Sequence, residues 1–183
     1  MLTRRTFLET AALAAAPPAR PIRLAIIATI YRLQSHAQHM GDRFLVGYPY
    51  GGAWHKPNVK VVSLYVDQKP DGDLSSARAR EFGFEVYPTI AETLRCGGKQ
   101  LAVDAVLLVA EHGNYPRNEK GQVLYPRYQF FQECVKVFEA DGRAVPVYND
   151  KHLSYNFERA KAMVDASRRL RFPLMAGSSL PVT

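Results

Sequence analysis

Two polar segments of the sequence carry side chains that could do acid–base chemistry. Residues 149–152 read Asn-Asp-Lys-His, and residues 111–117 read EHGNYPR. Lys151 stands between a carboxylate and an imidazole, and such neighbours, together with burial, set the pKa of a lysine. A lysine in a cleft can donate a proton or hold a substrate hydroxyl. Lys151 is therefore our candidate catalytic residue, and a solvated loop lysine is the alternative.

The elements that must position these segments are visible as alternating apolar runs and helical patterns. The runs predict strands at 23–29, 60–66, 85–87, 105–109, 145–148 and 174–176, and the patterns predict helices at 35–45, 74–82, 89–94, 126–140 and 157–170. Continuous runs of Val, Ile and Leu are typical of strands buried on both faces. The alternation predicts an α/β fold: a Rossmann-like, doubly wound parallel sheet in a single three-layer domain.

Polar side chains gather where these strands end. In open α/β sheets, ligands bind beyond the carboxyl ends of the strands. The candidates at those ends are Thr29, Arg32, Asp67, Glu111, His112, Asp150 and Lys151. An acidic residue that ends the second strand is where a Rossmann domain holds the ribose of a dinucleotide, and a residue that only caps the next turn is the alternative for Asp67.

Composition limits the class of protein. The 183 residues suffice for one domain, and 47% hydrophobic with 22% charged residues is typical of a globular chain. The formal charge of +7 is dispersed rather than clustered, so we expect no nucleic-acid partner. Cys96 and Cys134 show no metal-ligand spacing, and Cys134 lies in an apolar helical stretch, where we expect it in the core.

The first sixteen residues have the pattern of an export signal. Arg4 and Arg5 precede a short alanine-rich apolar stretch, and small residues lie before Pro17. The paired arginines indicate the twin-arginine route. We therefore predict a twin-arginine-type signal peptide at 1–16, a linker at 17–21 and the folded domain at 22–183. The apolar stretch is shorter than the roughly 20 residues of a membrane helix, so we expect a periplasmic or otherwise exported protein without a stable span.

From Ile22 to Leu180 the sequence resembles the dinucleotide-binding domain of the glucose–fructose oxidoreductase / inositol dehydrogenase (Gfo/Idh/MocA) family. The family's first strand ends in G-x-G-x-x-G-x-x-H. Here "ATIYRLQSH" puts Ala28, Ile30 and Leu33 at the three glycine positions and His36 at the histidine. Further on, Asp-Lys-His at 150–152 occupies the position of the family's Glu-Lys-Pro, and "PLMAGSS" matches its last strand.

The resemblance implies an oxidoreductase that uses NAD or NADP and acts on a small-molecule polyol or sugar. It implies Lys151 as the catalytic residue, with the cofactor held by Ala28, Thr29, Ile30, Arg32, His36, Asp67, Glu111, His112 and Asp150. The glycine positions allow close approach of a pyrophosphate, and we expect the side chain of Ile30 to stand where the phosphates would lie. The family's second domain has no counterpart in these residues, and we expect apolar surface near the C-terminus to favour a homo-oligomer.

Two other functions remain open from the residues alone. A non-catalytic domain that binds carbohydrate or protein would explain the loss of the glycines. The aromatic residues that could stack on a sugar ring are Trp54, Tyr48, Tyr50, Tyr115 and Tyr125. Metal-dependent hydrolysis would use Glu111, His112, Asp150 and His152, whose types suit Zn²⁺ or Mn²⁺.

Overall fold

The computed structural model describes residues 20–178, which form a three-layer α/β domain. The strands are β1 (Ile22–Ala28), β2 (Tyr48–Tyr50), β3 (Ala53–His55), β4 (Val59–Val66), β5 (Glu85–Tyr87), β6 (Ala105–Val109), β7 (Val147–Asp150) and β8 (Leu174–Gly177). The helices are α1 (His36–Leu45), α2 (Ser75–Phe82), α3 (Ile90–Arg95), α4 (Arg127–Ala140) and α5 (Phe157–Leu170). The predicted Rossmann-like α/β class is confirmed.

The central sheet has six parallel strands in the order β5-β4-β1-β6-β7-β8. The chain builds outward from β1 through β4 to β5, then crosses back and builds outward again from β6 to β8. The order in which successive strands are added to the sheet therefore reverses between β1 and β6, although all six strands stay parallel. Doubly wound sheets bind ligands beyond the carboxyl ends of the strands at this reversal. The polar segments found in the sequence follow the four strands nearest to it.

Two hydrophobic clusters hold the helices on opposite faces of the sheet. Leu24 and Ile26 of β1 pack toward α1 and α2, whereas Ala25 and Ile27 pack toward α3, α4 and α5. This alternation follows from the two-residue period of a strand. Cys134 of α4 is completely buried in the second cluster, which confirms its predicted place in the core.

Strand β7 begins and ends two residues later than predicted. Pro146 has no N–H to donate to a ladder, and the pairing of β7 with β6 and β8 starts at Val147. As a result, Asn149 and Asp150 lie inside the sheet, 0% and 1% exposed, and not in the loop beyond it. Lys151 becomes the first residue after the strand.

Three of the five described helices begin at a capping side chain. Ser35 caps α1 and Thr89 caps α3, each with its side-chain oxygen accepting a backbone N–H of the first turn. Helix α5 is capped by Asn156, whose Oδ1 accepts the N–H of Arg159 at 2.9 Å. Ser154 lies before the helix, where its Oγ accepts the N–H of Asn156 at 3.2 Å.

An antiparallel hairpin, β2 with β3, lies between α1 and β4, where the sequence pattern predicts no strand. Its two strands have three residues each, too short to show a period in the sequence. Tyr50 and Trp54 are 73% and 61% exposed, and the indole N–H of Trp54 donates to the carbonyl of Val46 at 3.1 Å.

The predicted export signal at 1–16 lies outside the described residues. Within the described range, 20–178, no helix has both the length and the apolar character needed to cross a membrane.

Candidate active site

Glu111, which follows β6, joins two cations at the carboxyl edge of the sheet. Its Oε1 accepts a hydrogen bond from Lys151 Nζ at 3.0 Å, and its Oε2 is bound by Arg127 Nη2. Arg127 is the first residue of α4 and only 2% exposed, so its charge depends on this partner. Thr29, just beyond β1, donates its hydroxyl to the Glu111 carbonyl at 2.7 Å. Strands β1, β6 and β7 and helix α4 therefore all contribute to one cluster.

Lys151 and His112 have left-handed backbones, with φ of 63° and 67°. Non-glycine residues hold such conformations at a cost of about 1–3 kcal/mol, and only where their surroundings fix them. The N–H of Lys151 donates to the carbonyl of Gly177 at 2.8 Å. Asn149 Nδ2 donates to the carbonyl of His152 at 3.0 Å, which closes the turn after β7. The tight turn keeps the lysine at the strand end.

A second acid–base pair lies beside the first. His36 Nδ1 is 2.7 Å from Asp150 Oδ2, and the Asp150 side chain is fully buried. The His36 ring meets the His112 ring edge to face, with 5.2 Å between centroids. Burial lowers the pKa of His112, and the neighbouring His36 lowers it further. His112 is therefore neutral at pH 7.

Buried polar atoms without a partner are concentrated at this edge. Of the seven side-chain atoms of residues 20–178 that are buried and make no hydrogen bond, four belong to the cluster: His112 Nε2, Arg127 Nε, Asn149 Oδ1 and Asp150 Oδ1. Buried polar groups are normally satisfied, so such a concentration is typical of a functional site.

The turn between β1 and α1, residues 29–35, buries two large side chains. Ile30 is 2% exposed and Tyr31 is 0% exposed, so both enter the interior. The expectation that the Ile30 side chain stands where phosphates would lie is wrong, because that side chain packs into the core. Gln34, with φ of 61°, is the residue of the turn that takes the left-handed conformation. Ala28, the last residue of β1, is fully buried, whereas Leu33 is 66% exposed.

The amides of this turn are only partly used by the protein itself. Ser35 Oγ accepts the N–H groups of Arg32 and Gln38, each at 3.2 Å. Within residues 20–178, the N–H groups of His36 and Ala37 have no acceptor. The side chain of Arg32 is exposed in the same turn. The turn thus differs from a glycine-lined cradle but retains free donors at a helix N-terminus and one cation.

Asp67 is exposed at the end of β4 and bound by two tyrosines. Tyr65 donates its hydroxyl to Oδ1 at 2.8 Å, and Tyr115 donates to Oδ2 at 2.6 Å. Burial, with the hydrogen bond to Asp67, raises the pKa of both tyrosines, which keeps the phenols protonated as donors. A carboxylate oxygen accepts more than one hydrogen bond, so Asp67 can still bind a hydroxyl group.

The structure brings six of the ten predicted site residues into one contact network and leaves four apart from it: Ala28, Ile30, Arg32 and Asp67. Thr29, His36, Glu111, His112, Asp150 and Lys151 share the network. Asp67 is joined to the same edge by its own N–H, which donates to the Ala28 carbonyl at 3.0 Å, and by Tyr115 of the loop after β6.

Sequence reasoning missed Arg127, which completes the charge cluster. One signal could have identified it: Arg127 lies three, four and seven residues before Phe130, Phe131 and Cys134, so the buried stripe of α4 begins with an arginine. A charged residue on a buried helical face needs a partner of opposite charge. Tyr65 gave no comparable signal, whereas Tyr115 belongs to the polar segment 111–117 that the sequence singles out.

Among residues 20–178, no three His, Cys, Asp or Glu side chains lie close enough together to hold a metal ion. Two of the four residues suggested for metal-dependent hydrolysis are engaged by one cation, since Arg127 binds Glu111 and lies 3.4 Å from His152 Nε2.

Solved structures with the same fold are dehydrogenases of the Gfo/Idh/MocA type. They include GenD2 from gentamicin A biosynthesis in complex with NAD (TM-score 0.55, 15% identity, 89% of this chain and 36% of that chain). Biliverdin reductase from Synechocystis, solved with biliverdin and NADP⁺, gives a TM-score of 0.52 at 15% identity over 85% of this chain and 37% of the other. Myo-inositol 2-dehydrogenase from Lactobacillus plantarum gives 0.50 at 16% identity over 86% and 36%.

These similarities define the class of fold: the resemblance to Gfo/Idh/MocA dehydrogenases is confirmed at that level. The chain spans little more than a third of the length of the three structures. No protein-family model matches the sequence. No curated protein sequence matches it either.

Proposed function

We propose that this chain forms the dinucleotide-binding part of an NAD(P)-dependent oxidoreductase that acts on a hydroxyl group of a small polyol or sugar. One observation carries the proposal: the Glu111–Lys151 and His36–Asp150 pairs lie together at the carboxyl ends of β6 and β7, at the reversal of the sheet, with buried polar atoms left unpaired. Dehydrogenases with the same fold, some solved with NAD or NADP⁺, support it.

The residues of this chain fit a dinucleotide, with different phosphate contacts from those of a glycine loop. The free N–H groups of His36 and Ala37, together with the cation of Arg32, would bind the phosphates. Asp67 would accept a ribose hydroxyl. When bound, the nicotinamide supplies the acceptor or donor of a hydride.

Lys151 would hold the reacting hydroxyl. Its ammonium has three donors, and Glu111 uses one of them. A further donor can bind the oxygen of an alcohol and stabilise negative charge as it develops. Glu111 fixes the position of the ammonium, and Arg127 fixes the position of Glu111.

The test is a calorimetric titration of the full chain with NAD⁺, NADH, NADP⁺ and NADPH. We expect micromolar binding of at least one of them. Asp67→Ala should weaken it about tenfold, the effect of losing one charge-assisted hydrogen bond. Asp71→Ala, in an exposed part of the same loop, is the matched control and should leave binding unchanged.

No heat with any of the four from a folded sample would contradict the proposal. A non-catalytic domain would then be the remaining function, and sugars should be screened against the Lys151 edge. Ile30→Gly should not change this result, since the side chain of Ile30 is buried.

We also infer export by the twin-arginine route, from the pattern at residues 1–16 alone. Residues 1–21 fused to a folded reporter should direct it to the periplasm, and replacing Arg4 and Arg5 by lysine should retain it in the cytoplasm. A reporter that stays in the cytoplasm with the unaltered segment would contradict the inference.

A further inference from the structure

The hairpin formed by β2 and β3, residues 48–55, carries aromatic side chains that the rest of the described domain leaves uncovered. All six residues of its two strands are exposed. Tyr48 and Tyr50 lie on one face of the hairpin and Trp54 on the other, because side chains alternate along a strand and Trp54 pairs with Pro49. Exposed groups of large apolar side chains are typical of a surface that contacts a partner.

The indole nitrogen of Trp54 and one ring nitrogen of His55 are already bound within the hairpin and the residues next to it. The Trp54 N–H donates to the carbonyl of Val46, and His55 Nε2 lies 3.0 Å from the carbonyl of Tyr50. The His55 ring also stacks on the ring of Tyr48, with 5.9 Å between centroids. A sugar site needs polar side chains that fix the ligand's orientation. The ring faces that stay free here favour an apolar boundary instead.

The charged side chains around the hairpin are all positive. Residues 43–66 contain no Asp or Glu. Lys56 directly follows β3 and lines one cavity with Lys60, and Arg43 lines another with Tyr48. In the described part of the chain, none of these three cations forms an ion pair. The hairpin is therefore complementary to a negatively charged surface.

We propose that the hairpin docks this protein on an anionic lipid bilayer. Tryptophan and tyrosine rings lie at the level of the lipid headgroups, where one end of the ring is in an apolar environment and the other is hydrated. Lysine and arginine side chains beside them are attracted by the negative surface potential of acidic lipids. The tip of the hairpin, Gly51 and Gly52, has open space on its side-chain side, so the fold does not block its approach to a surface. Such a contact lies on the bilayer and needs no spanning helix.

Trp54 is the only tryptophan of the chain, so its fluorescence reports on the hairpin and on no other segment. The full chain is titrated with vesicles of equal parts phosphatidylcholine and phosphatidylglycerol, and with vesicles of phosphatidylcholine alone. With the acidic vesicles we expect a blue shift of the emission and quenching by brominated lipid. Binding to the neutral vesicles should be at least about tenfold weaker, because the cations lose their attraction. High salt should weaken binding to the acidic vesicles in the same direction.

Two lysine variants separate the hairpin from the rest of the basic surface. Lys56→Ser should weaken binding to the acidic vesicles about fivefold, the effect of one cation near such a surface. Lys99→Ser is the matched control: Lys99 is exposed beyond α3, which packs on the opposite face of the sheet, and its loss should leave binding unchanged. Tyr50→Ser should reduce the quenching by brominated lipid, because it removes a ring from the interface.

Several outcomes would overturn the proposal. They are an unchanged Trp54 emission with acidic vesicles, equal binding to neutral vesicles, equal effects of Lys56→Ser and Lys99→Ser, and a response to inorganic phosphate alone. An emission change with soluble sugars, or with rising protein concentration in the absence of vesicles, would assign the hairpin to a carbohydrate or to a second copy of the chain. None of these measurements uses a nucleotide, so their result is independent of the proposed function.

Discussion

Glu111 is the shared ion-pair partner of two cations in the candidate site. Its carboxylate is shared between the buried Arg127 and the partly exposed Lys151, so one side chain determines both the stability of α4's first turn and the position of the reacting lysine. Two buried charges are tolerated only when each keeps its partner. If a substitution removes one of them, the other charge stays buried without a counter-charge, and the folded state is destabilised.

Replacing Glu111 by Gln should destabilise the protein by about 3 kcal/mol, because the Arg127 guanidinium is left buried without a counter-charge. Urea unfolding of the variant and the parent chain measures the difference. Glu119→Gln, in an exposed part of the same loop, is the control and should change the free energy of unfolding by less than about 0.5 kcal/mol. Equal stabilities for Glu111→Gln and the control would show that Arg127 does not depend on Glu111.

Helix α1 is packed against the sheet through a tyrosine of the preceding turn. The Tyr31 hydroxyl donates to Asp42 Oδ1 at 2.9 Å, and Arg78 of α2 binds the other oxygen of Asp42 at 2.8 Å. Gly41 makes room for the ring: a Cβ there would lie 2.5 Å from the Tyr31 hydroxyl and 3.2 Å from Ile26. The turn can therefore bury Tyr31 because the facing position of α1 is a glycine.

Gly41→Ala should destabilise the domain by about 1–2 kcal/mol, since the clash exceeds the roughly 1 kcal/mol that alanine gains in helix propensity. Thermal and urea unfolding measure it. In a double-mutant cycle with Tyr31→Phe, which removes the nearest atom, the loss caused by Gly41→Ala should shrink by at least about 0.5 kcal/mol. Additive effects of the two substitutions would mean that the hydroxyl is not what Gly41 accommodates.

Across the whole molecule, the edge of the sheet at the amino ends of the strands and the edge at their carboxyl ends hold different groups. The edge where β1 and β6 begin holds paired charges, such as Arg20 with Asp104 at 2.6 Å, and nearby Arg95 with Asp141 at 2.6 Å. The opposite edge holds the cluster of Glu111, with its unpaired buried atoms. The ion pairs at the first edge join neighbouring segments of the chain, whereas the second edge keeps polar atoms that no residue of the described range satisfies.

The Asp104 ion pair predicts how stability falls in acid. The hydrogen bond from Arg20, helped by the N–H of Arg23 and opposed by burial, lowers the pKa of Asp104 to about 2. A carboxyl with a lowered folded-state pKa stabilises the protein above its unfolded pKa, and the stabilisation is lost as the pH falls from about 4 to about 2. Asp104→Asn should remove on the order of 1 kcal/mol at neutral pH and flatten this part of the profile. Urea unfolding between pH 6 and 2.5 tests it, with Asp71→Asn as the control, and a profile for Asp104→Asn parallel to that of the parent chain would contradict it.

Thiol reactivity tests the packing of the face of the sheet that α3, α4 and α5 cover. Burial raises the pKa of Cys134 strongly, whereas Cys96 is only partly buried at the end of α3. We expect an aromatic disulfide reagent to react with one thiol per native chain and with two after unfolding, and Cys96→Ser to abolish the native reaction. Reaction of both thiols in the native protein would show that the layer of α4 and α5 opens.

The order of strands and helices could be read from the sequence because hydrophobic periodicity is a local property. The runs around β1, β4 and β6 and the stripes of α4 and α5 were placed within a few residues. The periodicity did not fix the start of β7, because Pro146 delays its pairing to Val147. The hairpin β2–β3 was missed because a strand of three residues has no detectable period.

The sequence by itself determined the Rossmann-like class, the edge of the sheet where polar residues gather, and Lys151 as the residue to test. Only the tertiary structure decided the contacts: Glu111 with Arg127, sixteen residues apart, and His36 with Asp150, 114 residues apart. It also turned Ile30 inward and Asp150 into the sheet. The physical reason is that residue types and local periods specify elements, whereas contacts between distant residues depend on strand register and on how the crossovers pack, which no local spacing encodes.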